Sequence, residues 1–290
     1  MFPTTPLAER LRVALNQAYL RKVAGTVPRL LLAPRPPTGC GGSVAHYYHF
    51  VFDLMMPLSR LFPAGRPPMT FQLRSFGPLT GAIRDVFGEA IEILPESGPA
   101  STERCATLLG MNPRCVRSIC RDLEDFRRFV LGRFSVNDVR EPDTVVLIER
   151  MPPDPYFLQF AEGGGAGASR RSLMNHQALQ EWLSGAVRSP YRFLNLRLET
   201  MPLREQVETF SRTALVMGQH GAGLANIAWM ARGQVIVELD DMVRPHFALI
   251  ARSRRCDYLR YRLAAPHAVV DVPGFRDWLG RQPALRNFFN

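Results

Sequence analysis

The stretch TALVMGQHGAGLANIAWMARGQVIVEL, residues 213–239, carries an apolar run, a turn of three glycines around a histidine, and two further apolar runs, the last closing on glutamate. ALVMG (214–218) and QVIVEL (234–239) are short, aliphatic and bounded by turn residues, which reads as a pair of buried strands. GLANIAWMA (223–231) between them reads as a helix. A strand, a tight glycine turn, a helix and a second apolar strand make one βαβ unit, whose strands run parallel.

The same alternation extends outward on both sides. TVVLIE (144–149) and YRFLNLRL (191–198) read as strands, with RSLMNHQALQEWLSGAV (171–187) as an amphipathic helix between them. LREQVETFSRT (203–213) is a helix ahead of the opening stretch. HFALIARSRR (246–255) and DYLRYRL (257–263) add a helix and a last strand. This pattern predicts a doubly wound parallel sheet covered on both faces. The first half repeats it less regularly, with strands at 29–33, 69–73, 91–94 and 106–110 and helices near 7–22, 46–62, 78–88 and 121–134. The polar stretch VNDVREPD (136–143) reads as a linker. The expected organisation is an N-terminal α/β domain over 1–140, a C-terminal Rossmann-like domain over 141–272, and a final helical segment, 273–290, packing back on the N-terminal domain.

Composition narrows the classes. Of the 290 residues 46% are apolar and 10% aromatic, enough for a packed core and too much for a disordered chain. No apolar run approaches the roughly 18 residues that span a bilayer, and the first residues lack the pattern of a signal peptide. The expected location is the cytoplasm, that of the host if a virus encodes the chain. Five cysteines, Cys40, Cys105, Cys115, Cys120 and Cys256, without C-x-x-C spacing, fit a reducing compartment and argue against a disulfide scaffold or a zinc site. The net charge of +10 invites a nucleic-acid reading. Yet Lys22 is the single lysine, the arginines are dispersed, and no zinc-finger, RNP or basic-zipper pattern accompanies them. Phosphate on a small ligand accounts for the charge as well as a polymer does.

Two places carry chemistry. The glycine turn Gly218–Asn226 ends a strand and opens a helix, so free N–H groups and the helix dipole favour an anion there. Its spacing is neither the dinucleotide fingerprint nor a P-loop, and a plain tight turn capped by His220 remains the rival reading. In HYYHFVFDLMMPLSRLF (46–62), helical spacing sets His46, His49 and Asp53 in one stripe of an otherwise apolar helix. A buried polar seam either satisfies itself or lines a cavity.

LREQVETFSRTALVMGQHGAGLANIAWMARGQVIVEL resembles the signature of glycosyltransferase family 61. In that family an E-Q pair, here Glu205 and Gln206, runs into G-x-H-G-A-G-L-x-N and a strand ending in glutamate. Here Gly218, His220, Gly221, Ala222, Gly223, Leu224, Asn226 and Glu238 take those places. VVLIERMPPDP and SRRSLMNHQAL are similar to the family's strand ending in arginine and its R-x-x-x-N, with Arg150, Arg171 and Asn175 in position. The 46–62 stretch resembles its N-terminal motif through His49, Asp53 and Pro57, with departures at His46, where asparagine is usual, and His176, where glutamate is usual.

The resemblance implies a GT-B architecture, two Rossmann-like domains facing a central cleft. It implies an inverting transfer of a sugar, xylose or N-acetylglucosamine, from a UDP-sugar to a hydroxyl of a glycan acceptor, as in compact polysaccharide-building members. No metal or other cofactor is expected, since Arg150, Arg171 and the N–H groups at Gly221–Gly223 are suited to the charge that grows on the pyrophosphate. The expected donor site comprises Arg150, Arg171, Asn175, His220, Gly221, Ala222, Gly223, Leu224, Asn226 and Glu238, the last accepting ribose hydroxyls. Asp53 is favoured as the general base with His49 as its rival. The partners are a nucleotide sugar and a glycan acceptor, with no nucleic acid. The alternative is a polyanion-binding protein without catalysis.

Overall fold

The computed structural model describes residues 6–24, 29–35, 44–62, 70–97, 105–109, 116–158 and 167–290. The chain forms two compact units, one ending at Ser135 and the other running from Val136 to Asn290, so the division falls where the polar linker begins.

In the first unit α1 (Pro6–Ala24) precedes β1 (Arg29–Arg35). The 46–62 stretch follows as α2 (Tyr47–His49), a π-helical stretch (Phe50–Met55) and α3 (Met56–Ser59). Then come β2 (Thr70–Arg74), α4 (Thr80–Phe87), β3 (Ile91–Leu94), β4 (Cys105–Leu109) and α5 (Val116–Phe134). The four strands form a parallel sheet of order β3-β2-β1-β4. Strand β4 lies at an edge, and α1 closes it. The Asn16 amide donates to Thr107 O at 2.8 Å and its carbonyl accepts from Leu109 N at 3.2 Å, standing in for a neighbouring strand. Phe62, Phe71, Phe87 and Phe129 pack ring against ring over this sheet.

The regular helix expected over 46–62 is not what forms. Pro57 has no N–H to donate back to the carbonyl of Asp53, so the α-helical ladder lacks a rung there. The backbone widens instead, and Met56 N–H bonds to Val51 O, five residues back. His46 ends up exposed, at the N-cap of α2, which leaves only His49 and Asp53 in the seam.

The second unit contains β5 (Thr144–Glu149), short α6 (Pro155–Leu158) and α7 (Gly167–Arg170), β6 (Ser172–Leu173), α8 (His176–Ala186) and β7 (Arg192–Arg197). After these come α9 (Leu203–Ser211), β8 (Thr213–Gln219), a 3₁₀ segment (Ala222–Trp229), β9 (Val235–Asp240), α10 (His246–Ser253), β10 (Asp257–Arg262), β11 (His267–Ala268) and α11 (Val272–Gly280). Five strands form a parallel sheet of order β10-β9-β8-β5-β7. From β5 the chain moves to β7 on one side, then returns to β8 and proceeds to β9 and β10 on the other. β5 and β8 therefore flank the switch point, where such sheets bind ligands beyond their carboxyl ends.

Strand parity gives the sheet two unlike faces. Val145, Leu147, Met217, Val237 and Leu239 face a core shared with Leu179 and Leu183 of α8 and Phe275 and Leu279 of α11. The last residues belong to this core too, through Leu285 and Phe288. The segment 273–290, expected on the N-terminal domain, is thus an integral part of the second unit, because its aromatic face completes the cover over α8. Two other expectations shift. The helix expected over 171–187 begins only at His176, since Ser172–Leu173 is extended and pairs with β11. The helix expected after the glycine turn is a buried 3₁₀ segment, whose small residues Ala222, Gly223, Ala225 and Ala228 permit its close packing.

Candidate functional site

Arg150 leaves the carboxyl end of β5 and reaches across the switch point. Its Nη1 donates to His220 O at 2.9 Å and its Nη2 to Gly167 O at 2.7 Å. Gly221 makes this possible, since a Cβ built there would lie 1.7 Å from Nη1. The glycine is needed because a guanidinium lies against its backbone. Gly167 likewise has φ +55°, and a Cβ on it would meet Met151 O at 2.6 Å.

Arg171, one residue before β6, is 7% exposed. Its Nε and that of Arg150 are both buried without a hydrogen-bond partner. Burial, followed by the nearby Arg171 charge, pushes the pKa of Arg150 down to about 10. Burial, then Arg244 and Arg170, lowers that of Arg171. Two desolvated cations that repel each other, with Asp241 3.8 Å from Arg171 Nε, form a group chemically suited to an added anion.

His220 follows β8 and contacts Glu238 of β9 through Nδ1. Glu238 is fully buried, and its other oxygen accepts from the hydroxyl of Tyr258 on β10. Burial and this bond together hold the Tyr258 hydroxyl protonated well above the usual tyrosine range. Asp240, also fully buried, places Oδ2 3.8 Å from the same Nδ1 and gives Oδ1 to Arg244. Burial raises its pKa against the pull of His220 and Arg244. Arg244 also reaches Asp241 at 3.3 Å, and Asp241 lies 3.8 Å from Arg171 Nε. Glu238, Asp240 and Tyr258 share the parity opposite to the core face, so strand periodicity carried a signal for Asp240 and Tyr258, which were not among the expected site residues.

Both oxygens of Glu238 therefore have protein partners, where ribose contacts were expected. Three more residues of the expected donor site serve the fold. Asn175 donates to Val270 O and accepts from Val270 N, both at 2.8 Å. Leu224 is buried at 1%, and Asn226, fully buried, donates to Gln206 Oε1 at 3.0 Å. Gln206 in turn donates to Leu198 O and Met201 O, each at 3.0 Å. Replacing Gln206 with alanine removes the Asn226 amide's bond to Oε1 and leaves its bond to Gly223 O at 3.1 Å, at a cost of about 1–3 kcal/mol, readable as a lowered midpoint in urea. Arg150, Arg171, His220 and Gly221 gather at the strand ends, with Ala222 and Gly223 at the start of the 3₁₀ segment. The glycine-rich residues 161–166, between α6 and α7, lie outside the described residues. At His176, where the chain departs from the family pattern, the ring bonds to Asn195 Oδ1 at 2.8 Å.

By residue type His220, Glu238 and Asp240 are a group able to ligate a metal, their donor atoms lying within 4.8 Å of one another. Three of the four carboxylate oxygens already serve His220, Tyr258 and Arg244. The fourth, Asp240 Oδ2, makes no hydrogen bond.

In the first unit His49 Nδ1 lies 2.6 Å from Asp53 Oδ2. The Asp53 side chain is 2% exposed and that of His49 17%. The Asp53 Oδ1 is buried without a hydrogen-bond partner. Burial raises the pKa of Asp53 even though His49 opposes it. The folded state then holds this proton more tightly than the unfolded chain, so stability falls as pH rises through the window above the ordinary carboxylate range. Asp53→Asn removes that loss, and its melting temperature gains on the parent as pH rises from about 4 to about 8.

Among the described residues no helix is long and apolar enough to cross a membrane. The parallel sheet, with buried arginines at its switch point, defines a Rossmann-like α/β protein. The Glycosyltransferase 61 family profile matches residues 47–237, from the tyrosines before His49 to the residue before Glu238. The chain belongs to glycosyltransferase family 61. It is similar to a β-1,2-xylosyltransferase of Arabidopsis thaliana, 29% identical over 129 residues, 40% of this chain and 24% of that relative. It is also similar to β-1,2-xylosyltransferase RCN11 of Oryza sativa subsp. japonica, 28% identical over 100 residues, 33% of this chain and 19% of the relative. The matched stretches thus cover a quarter or less of either relative.

Proposed function

We propose that the protein is an inverting glycosyltransferase that moves xylose from UDP-xylose to a hydroxyl of a glycan acceptor, its two units working as the halves of a GT-B enzyme. The observation that carries this reading is the pair of buried guanidiniums, Arg150 and Arg171, whose Nε groups make no hydrogen bond, Asp241 standing 3.8 Å from that of Arg171. A pyrophosphate supplies the missing charge and the missing acceptors at once. The choice of xylose rests on the two similar plant enzymes.

The leaving diphosphate gains negative charge as the bond to the sugar breaks, and Arg150, Arg171 and the backbone at Gly221–Gly223 stabilise it. The acceptor hydroxyl loses its proton to His49. The sequence favoured Asp53 as base; the far lower exposure of its side chain supports giving the role to His49, the more open member of the pair. Asp53 holds the Nδ1 side, so Nε2 takes the proton. With this much positive charge from the chain, no divalent metal is required, and EDTA is expected to leave the initial rate unchanged. A rate abolished by EDTA and restored by Mn²⁺ overturns that point and directs attention to His220, Glu238 and Asp240.

The deciding measurement is a thermal-shift panel of UDP, GDP, CMP and short oligonucleotides, followed by transfer assays with UDP-sugars. Stabilisation by UDP alone among the nucleotides, and transfer of xylose, are expected. Stabilisation by oligonucleotides alone establishes a polyanion-binding protein instead.

A further inference from the structure

Helix α1 is apolar on two opposite sides. Its inward side is fixed by contacts: Leu20 and Val23 are buried, the buried Gln17 donates to Pro57 O at 3.3 Å, and Asn16 holds the edge of β4. On the far side Leu11, Leu15 and Tyr19 are 59%, 61% and 55% exposed. Their four-residue spacing sets them in one line along the helix, with the exposed Ala14 and Ala18 beside it. A helix that covers a sheet turns charged and polar side chains to water on its outer face. Here that face carries leucine, alanine and tyrosine. Single exposed apolar side chains are common on protein surfaces, whereas a contiguous line of them marks a place of interaction. The other large exposed apolar side chains, such as Met174, Met242 and Val269, lie in the second unit outside any helix.

The borders of this line are basic. Successive residues turn by about 100°, which puts Arg12 on one edge and Arg21 on the other, and Lys22 continues the line beyond Tyr19. Arg21 and Lys22 are exposed and Arg12 is half-buried. The sequence of α1 holds four basic residues, Arg10, Arg12, Arg21 and Lys22, against one acid, Glu9. Arginine and lysine lay their stems along apolar surface and keep their charged heads in the polar phase. An apolar line edged by cations is therefore complementary to a surface that offers acyl chains beneath anionic headgroups. A second copy of the chain fits less well. A stable protein interface buries about 800 Å² per partner over roughly 20 residues a side, and three side chains supply far less. Pairing the same face of two copies also sets basic borders against one another.

We propose that α1 docks the protein on an anionic lipid surface, with Leu11, Leu15 and Tyr19 entering the boundary between headgroups and acyl chains and Arg12, Arg21 and Lys22 meeting the headgroup charge. The helix lies along the surface and does not cross it. Its inward side keeps its place on the sheet, so docking requires no unfolding of the first unit. The apolar and the charged contributions are each small, and binding depends on their acting together. Neutral lipid gains only the first, and salt screens the second. The attachment is accordingly reversible. Docking through α1 is independent of the donor site, so the failure of either reading leaves the other standing.

The experiment is co-sedimentation of the full chain with vesicles of phosphatidylcholine alone and of phosphatidylcholine mixed with phosphatidylglycerol. Binding to the mixed vesicles is expected, and little to the neutral ones. Leu11→Gln together with Leu15→Gln keeps every charge, and partition onto the mixed vesicles should fall about tenfold or more. Arg21→Gln together with Lys22→Gln keeps the apolar line and should fall by a similar factor. The substituted side chains are exposed, so both variants should melt with the unchanged chain. Leu15→Trp reports depth directly: its emission, taken as the difference from the unchanged chain, should move to the blue on mixed vesicles and be quenched by brominated acyl chains. If the leucine variant sediments as well as the unchanged chain, the attraction is that of net charge alone and the proposal is overturned. It is overturned equally if the chain sediments with neither vesicle, or if the new tryptophan stays in water on vesicles that bind the chain. A mass doubled in solution and halved by the leucine variant, without vesicle binding, gives the face to a second copy instead.

Discussion

His49→Ala is expected to lower xylose transfer by about 10²–10⁴-fold while leaving UDP binding unchanged. The expectation follows from the shape of the 46–62 stretch. A π-helical turn buries Asp53, which contacts His49 Nδ1 at 2.6 Å. The carboxylate fixes the tautomer and supports the charge that the ring acquires when Nε2 accepts a proton. Asp53→Asn keeps the shape but loses the negative charge and the acceptor-only character, so the ring is free to turn and the accepted proton is held less firmly. Its transfer rate should fall nearly as far as that of His49→Ala, and the double variant should fall no further than the worse single one, because the two act as a unit. A fully active Asp53→Asn paired with an inactive His49→Ala shows that orientation by Asp53 is dispensable. An active His49→Ala removes the base from this place altogether. UDP affinity, measured calorimetrically on the same samples, reports whether the donor site survived.

The second large effect comes from one methyl group. Gly221→Ala places a Cβ where the Arg150 guanidinium lies, 1.7 Å from Nη1. The clash is with the end of a flexible side chain, so the fold survives while the guanidinium is evicted. With Arg150 gone from the switch point, a charge-assisted contact to phosphate worth about 1.5–3 kcal/mol disappears. UDP affinity should therefore fall about 10–100-fold, with a melting temperature close to that of the parent. Arg150→Ala should lose a similar amount, and adding Gly221→Ala to it should cost little more. Additive losses would mean that the glycine serves the ligand directly rather than through the arginine. Arg150→Lys is expected to restore little, since an ammonium cannot span His220 O, Gly167 O and a phosphate together.

Much of this was legible in the residues and some was not. The parallel α/β pattern of the second unit followed from short aliphatic strands such as TVVLIE and QVIVEL, because burial on both faces leaves a nearly continuous apolar run. The glycine turn was visible, but its reason was not, since the distance from Arg150 to Gly221 spans 71 positions that only the fold closes. Asn175, Asn226 and Glu238 stood in motif positions and so looked like ligand contacts. Their partners, Val270, Gln206 and Tyr258, are brought to them by chain crossings that spacing does not encode. The π-helical turn was hidden for another reason. Helical periodicity assumes 100° per residue, and Pro57 breaks that assumption locally. Asp240 stood in no family motif, yet its alternation with Glu238 along β9 places both on one face.

That alternation has a consequence for substitution. On β9 and β10 one set of alternate positions packs into the apolar core and the next into a buried polar network. A change at residue 238, 240 or 258 alone therefore strands a buried charged or hydroxyl partner, and that face of β9 and β10 accepts new chemistry only when its members change together.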